Sequence, residues 1–210
     1  MSARGVFISI EGGEGAGKST VMTALGEALA ASGRDVVPTR EPGGTPEGEA
    51  IRSLLLDPGN HLLPETELLL MFASRAQLVR QVIAPALARG AAVLADRFTD
   101  ASFAYQGGGR GLDTGCIADL ERWAAGIKPD LTFLLDVGVA EGLARARSRG
   151  GEPDRIERER GDFFERVRAT YLARAAAEPA RFRVIDASQP APDVRRAVLA
   201  ALSDWLEANG

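Results

Sequence analysis

A glycine-rich segment with one lysine and one hydroxyl residue, 12–19 (GGEGAGKS), fits the pattern G-x-x-x-x-G-K-[ST] at every fixed position. Glycines allow the backbone to wrap closely around phosphate groups, with its N–H groups pointing inward. Lys18 can bridge β- and γ-phosphates, and the Ser19 hydroxyl can bind Mg²⁺. The pattern therefore predicts a nucleotide phosphate-binding loop. The residues expected to form it are Gly12, Gly13, Glu14, Gly15, Ala16, Gly17, Lys18, Ser19 and Thr20.

The dipeptide Asp96-Arg97 follows the apolar run AAVLA and argues against two other classes of phosphate-loop protein. Guanine-specific GTPases usually carry N-K-x-D, but neither asparagine, Asn60 or Asn209, is followed by lysine. Hydrolytic ATPases often end such a strand with Asp-Glu, whose glutamate polarises water. Asp96 keeps a carboxylate for magnesium, whereas Arg97 suits a second phosphate group better than an attacking water. The pattern favours transfer between two phosphorylated molecules.

Three clusters are candidates for binding the acceptor. Arg40 begins REPGGT directly after a predicted strand, and the carboxyl ends of strands line the ligand crevice of an α/β sheet. Arg75 lies about one helical turn after Met71 and Phe72, so an apolar or aromatic side chain and a planar cation share one face that could hold a base. The third cluster is AYQGGGR at 104–110.

The elements that must position these residues alternate between strand and helix. Apolar runs predict strands at 6–10, 35–39, 91–95, 131–135 and 182–185. Helical spacing predicts helices at 19–31, 46–56, 65–87, 113–125, 140–147, 163–177 and 193–206. This β-α-β alternation predicts an α/β protein with a five-stranded parallel sheet flanked by helices on both faces, as in P-loop NTPases.

Two polar or glycine-rich segments interrupt this alternation, at 105–112 (YQGGGRGL) and 148–160 (SRGGEPDRIERER). We expect both to be mobile loops near the site. The length of 210 residues and the lack of a low-complexity linker predict one domain over 1–210.

Composition excludes several functions. With 45% apolar and 26% charged residues, the chain is an ordinary globular protein and not a disordered one. Its single cysteine excludes an intramolecular disulfide, and its single histidine excludes a histidine-rich metal site. The net charge of −4 makes polymeric nucleic acid an unexpected partner. The N-terminal apolar run is too short for a signal peptide or a membrane span, so we expect a cytoplasmic protein with no membrane partner.

Five stretches together resemble the bacterial thymidylate (dTMP) kinase family. They are IEGGEGAGKST, TREPGGTPEGEAIRSLLLD, LLLMFASRAQL, DRFTDASFAYQGGGRGL and DRIERERGDFFERVRATY, spread from residue 10 to about 171 in the family's order. The resemblance implies a nucleoside monophosphate kinase with an acceptor-binding region and a lid at about 148–160. It also implies Mg²⁺, ATP as co-substrate, dTMP as acceptor, dTDP as product and a homodimer.

The resemblance further implies a role for each matching acceptor residue. Glu14 would meet the 3′-hydroxyl of the deoxyribose, and Arg97, with Arg40 close by, would grip the acceptor phosphate. Asp96 would lie beside magnesium together with Ser19. Tyr105 would crowd the sugar 2′ position, with Gln106 next to it. Arg75 would hydrogen-bond the thymine edge.

This sequence departs from the family at two acceptor positions. The family commonly has phenylalanine four residues before the arginine at 75, where this chain has Met71, followed by Phe72. Either side chain could cover the base. The family often has serine four residues after the arginine at 97, where this chain has Ala101, followed by Ser102.

The lid is expected to supply a cation, because the phosphate-binding loop contains none beyond Lys18. Family members without an arginine in that loop take the cation from the lid. The candidates here are Arg147, Arg149 and Arg155, with Arg149 favoured because it precedes Gly150-Gly151. The interleaved acidic residues also fit a simple solvated face.

Two other functions stay open at this stage. One is a phosphate-loop kinase for a different nucleoside monophosphate, against which the REPGGT and AYQGGG segments argue. The other is an ATPase that switches partners on nucleotide binding, which would need a water-positioning group where Arg97 stands.

Overall fold

A parallel sheet forms the centre of the computed structural model, which describes residues 5–148, 150 and 152–209. Its strands are β1 (Phe7–Gly12), β2 (Val36–Arg40), β3 (Ala92–Asp96), β4 (Leu131–Asp136) and β5 (Phe182–Asp186). The five strands lie in the order β2-β3-β1-β4-β5, and every neighbouring pair is parallel. The predicted five-stranded parallel sheet is therefore confirmed.

The central strands are buried up to their carboxyl ends. All six residues of β1 are buried, because β3 and β4 flank it and helices cover both faces. The Ser9 hydroxyl lies 2.9 Å from that of Thr132 on β4, so the two buried hydroxyls share a hydrogen bond. β3 and β4 end in the partly exposed Asp96 and Asp136, so these carboxylates stand at the edge of the sheet where a parallel fold places its ligands.

Helices cover both faces of the sheet, as predicted. They are α1 (Lys18–Ala31), α2 (Pro46–Leu56), α3 (Pro64–Leu78), α4 (Ala84–Ala88), α5 (Thr99–Ser102), α6 (Thr114–Leu120), α7 (Val139–Ser148), α8 (Gly161–Ala177) and α9 (Ala191–Asn209). On one face, Leu25 of α1 and Val198 of α9 pack in the same cluster as Ile8. On the other face, Ile83 of the α3–α4 connection packs with Phe7, and α8 packs against β4.

The prediction of a loop at 105–112 is wrong over most of its length. α5 continues without a break into a π-helical stretch, Phe103–Gly109, in which Tyr105 is buried. Helix α8 lies so close that a Cβ on Gly108 would come within 2.0 Å of the Thr170 hydroxyl. The glycines that are typical of a loop therefore permit close packing of two helical segments here.

The segment between α7 and α8 is irregular, and its role as a lid stays a prediction. Between α7 and α8, the described residues contain no helix or strand, and residues 154–157 lie over the carboxyl edge of the sheet, where they line a cavity. Within the ranges given above, no helix has both the length and the apolar character needed to cross a membrane.

Candidate active site

A cavity of about 370 Å³ lies at the carboxyl edge of the sheet, where the strand ends converge with α2, α3 and the α7–α8 segment. The predicted residues that line it are Glu14, Gly15, Ala16, Gly17, Lys18, Ser19, Arg40, Met71, Asp96, Arg97, Tyr105, Gln106 and Arg155. The predicted residues that do not line this cavity are Gly12, Gly13, Thr20, Phe72, Arg75, Ser102 and Arg147. Arg149 lies outside the described residues.

Glycine shapes the phosphate-binding loop between β1 and α1. Gly15 has φ +70° and Gly17, the residue that caps α1, has φ +89°, a region that strains other side chains. Helix α7 packs against the loop so closely that a Cβ on Gly142 would lie 2.4 Å from the carbonyl oxygen of Glu14. The N-terminus of α1 follows directly, so its N–H groups and helix dipole favour an anion.

This contact between α7 and the loop leads to a prediction for Gly142→Ala. Alanine usually stabilises a helix relative to glycine, but here the new Cβ meets backbone. We expect the free energy of unfolding to fall by about 1–3 kcal/mol and ATP affinity to fall with it, as measured by denaturant unfolding and calorimetry. Gly161→Ala, where the added Cβ has nothing within 4 Å, is the matched control, and equal behaviour of the two variants would contradict the prediction.

Lys18 begins α1 and turns its ammonium back over the loop. Nζ donates hydrogen bonds to the carbonyl oxygens of Gly12 at 3.3 Å and Gly13 at 3.2 Å. Burial, with the nearby positive charge of Arg97, lowers the pKa of Lys18. Bound phosphates would favour the charged amine, because negative charge close to it stabilises the protonated form.

Arg97 has a backbone conformation that is rare for its residue type. Its φ is 72°, and strained conformations of this kind cluster at functional sites. The guanidinium donates hydrogen bonds to the Gly12 carbonyl oxygen at 3.0 Å and to the Tyr171 hydroxyl at 3.3 Å. It also pairs with the Glu14 carboxylate at 2.8 Å. These contacts hold a planar cation at the wall of the cavity.

Glu14 and Tyr105 meet at the same wall. The Tyr105 hydroxyl donates a hydrogen bond of 3.0 Å to Oε1 of Glu14, and the Arg97 guanidinium lies 4.7 Å from the centre of the Tyr105 ring. Burial raises the pKa of Tyr105 well above its usual value, so the phenol stays protonated and able to donate. Residues assigned separately to the sugar and to the phosphate are therefore in direct contact.

Asp96 and Ser19 fit a magnesium site. Both line the main cavity and a second, more open one beside it. Oδ1 of Asp96 is buried and has no hydrogen-bond partner within the described part of the chain. Mg²⁺ prefers oxygen ligands and usually takes only one or two from the protein, with the rest from water and phosphates. An oxygen lacking a donor therefore suits this cation.

The structure places Arg75 behind the cavity wall. The side chain is 0% exposed, and it donates hydrogen bonds to Glu41 at 2.7 Å, to the Ser102 hydroxyl at 3.0 Å and to the Phe98 carbonyl oxygen at 3.1 Å. Contact of Arg75 or Ser102 with a base therefore stays a prediction. For this contact to form, a hydrogen bond within the buried cluster would have to be replaced by one to the base. Ala101, beside Ser102, does line the cavity.

Met71 and Phe72 are separated by their surroundings. Met71 lines the cavity. Phe72 is 2% exposed and packs in an interior cluster with Leu68 and Phe103, and its ring lies 4.4 Å from the Arg75 guanidinium carbon. Of the two side chains that could cover a base, Met71 is the one that reaches the cavity.

The charged residues that line the cavity but were not predicted as site residues are Glu41, Arg52, Glu67, Asp154 and Glu157. Arg52 lies on α2 and donates a hydrogen bond of 2.9 Å to the Pro42 carbonyl oxygen, beside Arg40, which pairs with Glu49 at 2.9 Å. The signal that could have found Arg52 is its place on the first helix after REPGGT. Glu67 is followed by leucines on α3, and its position in the sequence does not distinguish it from an exposed acid on a helix.

The lid arginines have different surroundings. Arg155 lines the cavity, donating to the Leu55 carbonyl oxygen at 2.7 Å and to Glu67 at 2.6 Å. Arg147 is exposed on α7 and donates to the Leu143 carbonyl oxygen at 3.2 Å. Contact of a lid cation with the transferring phosphate stays a prediction.

Comparison with known proteins identifies the family. A sequence model described as thymidylate kinase matches residues 10–198. The chain is 55% identical over 205 residues to a thymidylate kinase of Pseudomonas fluorescens strain SBW25, covering 97% of each chain. It is 58% identical over 205 residues to a thymidylate kinase of Chromohalobacter salexigens, covering 96% of this chain and 97% of the relative.

A solved structure agrees with these relatives. The crystal structure of thymidylate kinase from Ehrlichia chaffeensis matches with a TM-score of 0.79 and 32% identity, over 95% of this chain and 99% of that one. The likeness therefore extends over almost the whole fold that carries the cavity. Together with the match to residues 10–198, it shows that this chain belongs to the thymidylate kinase family.

Proposed function

We propose that this chain transfers the γ-phosphoryl group of ATP to dTMP, releasing dTDP and ADP. The observation that carries the proposal is that one cavity contains both Lys18 of the phosphate-binding loop and the Arg97–Glu14–Tyr105 cluster. An ATPase needs only the former. The latter offers a cation, a carboxylate and a ring to a phosphorylated sugar.

On the donor side, Lys18 and the N-terminus of α1 bind the β- and γ-phosphates. Ser19 and Asp96 would hold Mg²⁺, which supplies positive charge at the phosphate oxygens. Phosphoryl transfer passes through a loose, in-line transition state, so positioning and charge stabilisation are the main tasks of the protein. No side chain has to act as a strong base, because a phosphate acceptor is already nucleophilic near neutral pH.

On the acceptor side, Arg97 grips the phosphate of dTMP with Arg40 and Arg52 close by, since a planar guanidinium can hold two phosphate oxygens. Glu14 meets the 3′-hydroxyl, and Tyr105 crowds the 2′ position. The base lies against Met71. Arg75 is assigned to the polar edge of the base, with the Ser102 hydroxyl near it, and Gln106 lies next to Tyr105.

A lid cation completes the site, and we assign it first to Arg149, because Arg155 already binds Leu55 and Glu67. Arg149→Ala is expected to cost about 2–4 kcal/mol of transition-state stabilisation. The loss should appear as a lower kcat with smaller changes in either KM, because the contact forms mainly in the transition state. Arg147→Ala and Arg155→Ala are measured alongside. Parent rates in all three single variants and in the triple variant would remove the lid cation from the mechanism.

We also propose that residues 1–210 form a single domain and that two chains form a homodimer. The dimer would act in the cytoplasm, where ATP is available. Leu69 of α3 and Trp123 of the stretch after α6 are 58% and 78% exposed, on helical segments that contact each other. Burying such apolar side chains against a second copy would stabilise a dimer. Sedimentation of the parent and of Trp123→Glu tests it: a parent that is a monomer at micromolar concentration contradicts this part.

The deciding experiment is a coupled assay with ATP, Mg²⁺ and either dTMP, dUMP, dCMP, dGMP or dAMP. We expect ADP release to depend on the acceptor and kcat/KM to be highest with dTMP. Preference for another nucleotide would support a kinase of different specificity. Equal ATP consumption with and without dTMP would support a nucleotide-switched ATPase.

A further inference from the structure

Four side chains of alternating charge connect the lid to the acceptor wall. Arg155 of the lid pairs with Glu67 of α3 at 2.6 Å, and Glu67 pairs with Arg110 at 3.1 Å. Arg110, which follows the π-helical stretch, in turn pairs with Glu159 at the end of the lid. The series of ion pairs therefore begins at Arg155 of the lid and ends at Glu159 of the lid, with Glu67 and Arg110 between them.

Glu67 is buried, and its carboxylate accepts hydrogen bonds from several neighbouring side chains. Its side chain is 1% exposed, and its Oε1 also accepts a hydrogen bond of 2.8 Å from Nε2 of Gln106. Burial alone would raise the pKa of Glu67, but hydrogen bonds from Gln106, Arg110 and Arg155 outweigh it and lower the pKa. The carboxylate therefore stays charged, and losing it would leave buried donors unpaired.

The same carboxylate touches two parts of the cavity wall. Gln106 and Arg155 both line the cavity, one on the acceptor side and one on the lid. Arg155 is also bound through its backbone, whose N–H donates to the Leu56 carbonyl oxygen of α2 at 3.0 Å, while its Nε donates to Leu55. The lid residue is thus held by two helices, and only one of the contacts is a charge pair.

We propose that Glu67 is a positioning residue that latches the lid to the acceptor wall through Arg155 while orienting Gln106 in the pocket. The proposal rests on the proposed function for its kinetic consequence, because the latch would let acceptor binding favour lid closure. Arg155 is then a latch residue and not a ligand of the transferring phosphate. The transferring phosphate is then left to Arg149, the first candidate given above.

The first test measures opening of the lid without any substrate. Trypsin cleaves after arginine and needs local opening to reach a folded segment. We expect cleavage after Arg158 and Arg160, followed by mass spectrometry, to be about tenfold faster in Glu67→Gln and in Arg155→Gln than in the parent. Glu65→Gln, an exposed acid on the same helix, is the matched control. Arg155→Lys should restore part of the protection, since it keeps the charge.

A double-mutant cycle distinguishes the latch from two independent effects. If Glu67 and Arg155 act through one contact, the double variant opens no faster than the worse single variant. If the effects multiply, or if all variants match the parent, the latch is rejected. Should Glu67→Gln fail to fold, Arg155→Gln still probes the same contact from the surface segment.

The kinetic test uses the same variants. The latch predicts that Glu67→Gln and Arg155→Gln raise the KM for dTMP about equally, on the order of tenfold, while the dissociation constant of ATP alone changes little. A fall in kcat for Arg155→Gln with no effect of Glu67→Gln would assign Arg155 to the phosphate and overturn the proposal. An enzyme that fails to use dTMP would reject the proposed function, but the trypsin result would still decide the latch.

Discussion

Lys18→Ala is expected to lower the rate of phosphoryl transfer by at least on the order of 10²–10³-fold. The substitution removes the charge aimed at the β- and γ-phosphates, where negative charge shifts during transfer. ATP binding should weaken as well, because the ground-state phosphates lose the same partner. Steady-state kinetics with saturating dTMP and calorimetric ATP titration measure the two effects separately.

The fold should survive this substitution. Lys18 donates only to the carbonyl oxygens of Gly12 and Gly13 among the hydrogen bonds in the described structure, and glycine conformations set the shape of the loop. Lys128→Ala is the matched control, because Lys128 is the only other lysine and pairs at the surface with Glu121 and Glu178. Near-parent turnover in folded Lys18→Ala protein would refute the assignment of the phosphate-binding loop.

Arg97→Ala is expected to reduce kcat/KM for dTMP by on the order of 10²–10³-fold, with a smaller effect on ATP binding. The variant loses a planar cation that the Gly12 carbonyl oxygen, Glu14 and Tyr171 hold at the cavity wall. It also removes the ion pair with the Glu14 carboxylate, so part of the loss can come from acceptor positioning. Kinetics with dTMP as the varied substrate measure the effect.

Arg97→Lys separates charge from geometry. Lysine keeps the charge and the same left-handed backbone cost, but it lacks the fork that holds two oxygens. We expect the KM for dTMP to rise and transfer to slow, by less than in Arg97→Ala. If ATP affinity collapses in either variant while dTMP affinity stays, Arg97 belongs to the donor side and the proposed map of the cavity is wrong.

Much of the fold follows from local chemistry in the sequence. Short apolar runs separated by helical segments favour the strands of a sheet that is covered on both faces, so the five strands could be predicted within a residue or two. The loop before Lys18 was equally clear, because glycines that need positive φ stand between a strand and a helix. Asp96 and Arg97 were identified because they end a buried strand at the ligand edge.

The glycine run after Tyr105 shows where local chemistry fails. Glycines without a side chain are typical of turns, and the sequence of this segment therefore predicted a loop. In the folded protein, α8 presses on the segment, and the absent side chains permit a π-helical stretch to lie against it. The conformation depends on a neighbour more than 50 residues away, at Thr170, which no local pattern can report.

The parallel sheet, the phosphate-binding loop and the set of acceptor candidates could be predicted from sequence, because each depends on periodicity or spacing over a few residues. Which side chains face the cavity depends on how distant segments pack. Met71 faces the cavity and Phe72 packs in the core, although the two residues are neighbours in sequence. Glu67 is buried beneath Arg110 and Arg155. A helical acid among leucines acquires such partners only when distant segments pack, because their approach replaces the water that would otherwise surround its charge.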